Sequence, residues 1–184
     1  MTTELSNFKS WYADVLLTLY PIRNAGIAAL MLSFPLLERY LRQKNNLNPS
    51  DALNDGCMTD LCTIFPALPS LGIARQFWHI YRNGFLHQVT LSPQKRNGTN
   101  MPVGWLTHDI NTAVSIEADG SFLVQPVLFS QTVVKTIENN FLLFAGIGTP
   151  APPLPVVESR LGASIPGSTQ SVILSTRGGS GPPR

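Results

Sequence analysis

From Ala25 to Leu37 the chain runs through 13 residues without a charge, then turns abruptly to Glu38, Arg39, Arg42 and Lys44. The spacing predicts a helix over Asn24 to Lys44 whose first half is apolar nearly all round. Such a helix belongs at the centre of a fold, with its charged end approaching solvent. The apolar run is too short to cross a bilayer, which takes about 20 residues. The expectation is therefore a bundle built around a central helix, with a kink or local break at Pro35.

The flanking segments fit a mainly α architecture of about five helices. Phe8, Trp11, Tyr12, Val15, Leu16 and Leu19 recur at three- and four-residue steps, predicting a first helix over Leu5 to Tyr20 that Pro21 ends. Asn48-Pro49-Ser50-Asp51 has the form of a helix start, a capping side chain, a proline and then an acid, so a third helix is expected over Pro49 to Phe65. A fourth is expected from Leu71 to about His87, with Ile73, Phe77, Ile80 and Tyr81 on its apolar stripe. A last one runs from Pro126 to about Ala145 on Val127, Val134, Ile137, Phe141 and Phe144. Between these two, Thr90 to Asn111 reads as loop. Ala113–Glu117 and Phe122–Val124, joined through Asp119-Gly120, read as a small β-hairpin.

After Gly146 the composition changes. Residues 147–184 hold seven prolines and six glycines without sustained periodicity. Such a segment buries too little apolar surface to offset its ordering entropy, and a flexible tail is expected. Residues 1–146 are read as the domain.

A net charge of +2 with 13% charged residues argues against a histone-like binder whose affinity comes from many phosphate contacts. It leaves room for an enzyme that grips one phosphate. Cys57 and Cys62 lie five apart, matching neither the usual zinc spacing nor a redox pair, and are expected as small hydrophobes in a reduced compartment. No secretory leader is recognised at the N-terminus, so a cytoplasmic location without membrane attachment is expected.

The chemistry-bearing residues gather on the fourth helix. His79, Arg82, Asn83, Leu86 and His87 stand at three- and four-residue steps, and two of the three histidines lie here. Arginine offers a planar fork of donors suited to phosphate oxygens, and histidine trades protons near neutral pH. Together they suffice for phosphodiester cleavage without a metal, and they suit an inert helix end equally well. Arg82 and His87, five apart, point about 140° from each other on an ideal helix. They meet at one target only if Gly84 loosens the helix or if two copies pool their helix ends.

Arg82-Asn83-x-x-x-His87 resembles the signature of the HEPN superfamily: an arginine, a polar residue that is often asparagine, three variable residues and a histidine. An early helix carrying Leu37-Glu38-Arg39-Tyr40-Leu41 fits the same context, and the resemblance spans roughly residues 5 to 145. It implies a compact helical bundle with the motif on a late helix, elaborated here by the hairpin. Many members are metal-independent endoribonucleases, including toxins of toxin–antitoxin and phage-defence systems, with an active site formed across a homodimer interface. Others are non-catalytic modules that bind a protein partner or a nucleotide.

Under that resemblance the catalytic residues are Arg82, Asn83 and His87. His87 is the general acid or base at the 2′-hydroxyl or the leaving 5′-oxygen. Arg82 holds the scissile phosphate and stabilises developing charge. Asn83 orients His87 or the phosphate. RNA is then the substrate, the product carries a 2′,3′-cyclic phosphate, no cofactor or metal is required, and DNA resists for want of a 2′-hydroxyl. A homodimer is expected, with an antitoxin or other protein as a further partner.

His79 and Glu38 are the candidate substrate-binding residues. For His79 the alternative is a tautomer-fixed histidine bonded to a neighbouring helix. Glu38 either orients Arg82 across the bundle or stands as an exposed acid at a charged helix end. His108-Asp109 reads as polar punctuation in a loop. Trp11, Trp78 and Trp105 either stack on bases or pack in the core, the latter expected of the first two.

Overall fold

The computed structural model describes residues 3–85, 91, 95–96, 99–100 and 102–146. They form a mainly helical domain with a small three-stranded sheet. The first helical rod comprises α1 (Thr3–Phe8), a π turn (Lys9–Ala13) and α2 (Asp14–Leu19). Phe8, Ala13 and Asp14 all keep right-handed helical dihedrals, so the rod continues through both junctions.

The central helix is α3 (Gly26–Lys44), against which α2, α4 (Asp55–Ile64), α6 (Pro126–Asn139) and α7 (Phe141–Ala145) pack. It runs through Pro35 without the expected break. Pro35 lies on the exposed side, where water can reach the carbonyl that loses its helical partner. Coverage of the first half is also incomplete. Ile27 is 45% and Met31 40% exposed, and with Pro35 they form a four-residue-step stripe open to solvent. Neighbouring elements bury the other side, with Leu30, Phe34 and Leu37 wholly inaccessible.

The third helix starts six residues later than Pro49. Asn54 is the cap, its Oδ1 accepting the Cys57 N–H at 3.0 Å. Around Asn48 the chain makes a turn, and Arg42 explains why no helix begins there. Its Nη1 donates to the carbonyls of Asn48 and Asp51, at 3.0 and 2.7 Å, and so holds both in the turn.

The last helix is interrupted at Asn140 (φ −127°, ψ 32°), which separates α6 from α7. Asn140 Nδ2 donates back to the Thr136 carbonyl. Where α3 meets α6, the buried hydroxyls of Ser33 and Ser130 lie 2.9 Å apart and also reach the carbonyls of Ala29 and Pro126.

The hairpin forms as expected, with β4 (Val114–Ile116) antiparallel to β5 (Phe122–Val124) and Gly120 at φ +84° in its turn. Loop was expected over Thr90–Asn111, yet part of that segment is strand. β1 (Lys95–Arg96) pairs with β2 (Thr99–Asn100), and β3 (Gly104–Leu106) joins β5 in parallel, giving the order β3-β5-β4. Three residues are too few to show the alternation that marks a strand.

An aromatic cluster binds helices and sheet into one core. Phe34 packs against Phe77, Tyr81 and Phe129, while Phe77 also meets Phe65 and Phe122. A second cluster of Phe8, Tyr12, Phe141 and Phe144 ties the first rod to α7. Among the described residues no helix is long and apolar enough to cross a membrane.

Candidate functional site

The fourth helix begins as expected. Ser70 caps α5 (Leu71–Trp78) by accepting the Ile73 N–H. From His79 the winding changes, and His79–Phe85 is a π turn. Bonds from i to i+5 widen a helix and bring residues five apart more nearly over one another than α winding does. Such turns are rare and are frequent at functional sites. The motif therefore starts on a π turn that includes Gly84. His87 lies outside the described residues.

Arg82 and Glu38 meet across the bundle. Arg82 Nε donates to Glu38 Oε2 at 2.8 Å. The other carboxylate oxygen, Oε1, accepts from Arg42 Nε at 3.0 Å and Nη2 at 2.8 Å. Glu38 is thus a carboxylate held between two guanidinium groups with its side chain only 14% exposed, and not the exposed acid of one alternative. Burial pushes its carboxyl pKa up, but the hydrogen bonds and charges of Arg82 and Arg42 outweigh burial, and the net shift is downward.

The network continues along the turn. Arg82 Nη1 donates to Asn83 Oδ1 at 3.1 Å, and Asn83 Nδ2 lies 3.1 Å from His79 Nδ1. Donor logic orients every group in it. Arginine only donates, so the carbonyl of the Asn83 amide must face Arg82 and its NH2 must face His79. His79 Nδ1 is then an acceptor, which places the proton of the neutral ring on Nε2. The structure therefore joins Arg42, Glu38, Arg82, Asn83 and His79 in one chain of hydrogen bonds. The Arg82 side chain remains 27% exposed.

Asn83 was expected to orient His87 or a phosphate; here its amide links Arg82 to His79. His79 Nδ1 is bonded to Asn83 within its own turn, and not to a neighbouring helix as its alternative expected. His108 and Asp109 lie exposed after β3, with Asp109 bonded to Thr107. Trp78 is buried at 8%, Trp11 is half-buried, and Trp105 on β3 is 56% exposed.

Two contributing residues were missed from the sequence. Arg42 carried a readable signal, since Glu38 and Arg42 stand at the i, i+4 spacing of a helical ion pair. Tyr81, placed by its stripe in the core, carries a hydroxyl whose target on β3 and β5 had no sequence signal. Among the described residues no three His, Cys, Asp or Glu side chains group as metal ligands. No family model, curated protein or solved structure matches the chain.

Proposed function

We propose that the protein is a metal-independent endoribonuclease of HEPN type, a helical bundle acting as a homodimer in the manner of a toxin or defence effector. The observation that carries this reading is the fixed, partly exposed Arg82. Glu38 and Asn83 hold its guanidinium on a π turn, in a sequence that places a histidine five residues later. A cation whose orientation is set before substrate arrives stabilises developing phosphate charge without reorganising. Arg82 grips the scissile phosphate, and His87 moves the proton at the 2′-hydroxyl or the 5′-oxygen. The His79 Nε2–H, beside Arg82 on the same turn, is a second donor toward a phosphate oxygen. The 2′-hydroxyl attacks phosphorus, the P–O5′ bond breaks, and the leaving oxygen takes up a proton, leaving a 2′,3′-cyclic phosphate and a 5′-hydroxyl.

A second reading is a non-catalytic helical module of the same architecture that binds a protein partner or a nucleotide. The engagement of Arg82 with Glu38 and Asn83 favours it, because a guanidinium used within the fold also serves a purely structural purpose. Incubating purified protein with a diverse panel of single-stranded RNA in EDTA separates the two. The ribonuclease reading expects cleavage of RNA and none of the matching DNA. Intact RNA throughout the panel favours the binding module.

A further inference from the structure

Consecutive residues of the π turn go to different supports. Arg82 reaches α3 through Glu38. Tyr81 is fully buried, and its hydroxyl lies in the seam between β3 and β5. There it accepts the Trp105 N–H at 2.9 Å and lies 2.9 and 2.8 Å from the carbonyls of Trp105 and Phe122, one of which takes its single proton. Burial raises the phenol pKa far above the ordinary tyrosine range, so the group stays a neutral donor. Gly104 lets the strand approach this closely. A Cβ there would stand 2.8 Å from Ile80 Cγ2 and 3.0 Å from Tyr81 Cζ. The sheet thus abuts the backbone that carries Arg82, through the residue immediately before it.

That backbone needs an external support. A π turn is an uncommon winding, this one contains Gly84 with its wide conformational freedom, and arginine is a long side chain. A reacting group misplaced by about 1 Å can cost about 100-fold in rate. We propose that Tyr81 is a positioning residue for the site: its hydroxyl, gripped by β3 and β5, fixes the turn so that the Arg82 guanidinium faces Glu38 and the phosphate in one orientation. The three-stranded sheet is then a brace for the arginine. The catalytic consequence rests on the ribonuclease reading, whereas the structural consequence does not.

The test compares Tyr81→Phe and Gly104→Ala with Ser130→Ala, which disturbs a buried hydroxyl at the α3–α6 contact. Folding is followed by circular dichroism, the Glu38 carboxyl by NMR titration, and RNA cleavage by kcat and KM separately. In the first two variants the Glu38 titration midpoint should rise toward the ordinary glutamate range as Arg82 loses its place. Their kcat should fall by about tenfold or more while KM stays within about threefold. Ser130→Ala should leave both readouts at wild-type values. An unmoved Glu38 midpoint in folded Tyr81→Phe and Gly104→Ala overturns the proposal, as does an equal shift in Ser130→Ala. Unfolding of both variants also overturns it, because Tyr81 would then serve the fold alone. If the wild-type protein cuts no RNA, the ribonuclease reading fails while the Glu38 titration still decides the role of Tyr81.

Discussion

Glu38 Oε2 and Arg82 Nε lie 2.8 Å apart, joining the central helix to the π turn 44 residues further along the chain. The contact belongs to stability and to the candidate site at once, and the two roles separate experimentally. Glu38→Ala leaves Arg42 and Arg82 facing each other without their shared carboxylate. Urea denaturation should show a loss of about 2 kcal/mol, in the range of hydrogen bonds to charged groups. A loss below about 0.5 kcal/mol, typical of exposed ion pairs, would mean that solvent screens the contact.

The same carboxylate makes stability pH-dependent in a known direction. Its pKa is lowered in the folded state, so the unfolded chain binds the proton more readily. The stabilisation is therefore present above the unfolded value of about 4.3 and fades as pH falls through the lower folded value. Glu38→Gln removes this titration. Urea melts between neutral pH and pH 3 should show the wild type losing more stability than the variant. Parallel curves would contradict the linkage.

The start of the third helix gives a test that distinguishes two asparagines. Asn54→Ala removes a side chain that accepts the Cys57 N–H and should cost about 1 kcal/mol. Asn48 uses its N–H and Nδ2 as donors to Asp51, in an exposed turn. Asn48→Ala retains the backbone donor and should cost less than Asn54→Ala. The reverse order would restore the helix start expected from Asn48-Pro49.

These cases show what kind of information the sequence holds. Long amphipathic helices were legible because their three- and four-residue spacing repeats over several turns, as in Leu71–Tyr81. The Asp119-Gly120 hairpin was legible because its turn demands a positive φ, which Gly120 supplies. β3 was not, being three residues long and held by Tyr81 and β5. Asn48 had the chemistry of a cap, but its Nδ2 donates to Asp51 and its carbonyl, like that of Asp51, accepts from Arg42. In the candidate site, Arg82 and Asn83 stood out by spacing. The burial of Glu38 between two arginines and the π winding under the motif arise from tertiary contacts, which leave no local pattern.

The homodimeric site proposed above makes a prediction for mixed subunits. If Arg82 of one protomer works with the histidine of its partner, Arg82→Lys and His87→Ala homodimers should each be nearly inactive. Mixing the two and allowing exchange should restore up to about one intact site per heterodimer, because two-fold pairing brings both wild-type residues together in one of its two clefts. Cleavage rates of the mixture against each variant alone provide the readout. Absence of recovery in verified heterodimers would place the whole site within one chain.

If Arg82 and His87 cut RNA without a metal, as proposed, the ends of the products will carry the mark of that chemistry. Single-stranded RNA is incubated in EDTA with wild-type protein, Arg82→Lys and His87→Ala, and the termini are assigned by mass spectrometry. The wild type should yield 2′,3′-cyclic phosphate and 5′-hydroxyl ends. Arg82→Lys should lose most activity because an ammonium cannot reproduce the guanidinium fork, and His87→Ala should lose it through want of a proton carrier. Cleavage that persists in both variants, or wild-type products ending in 5′-phosphate, would contradict that chemistry.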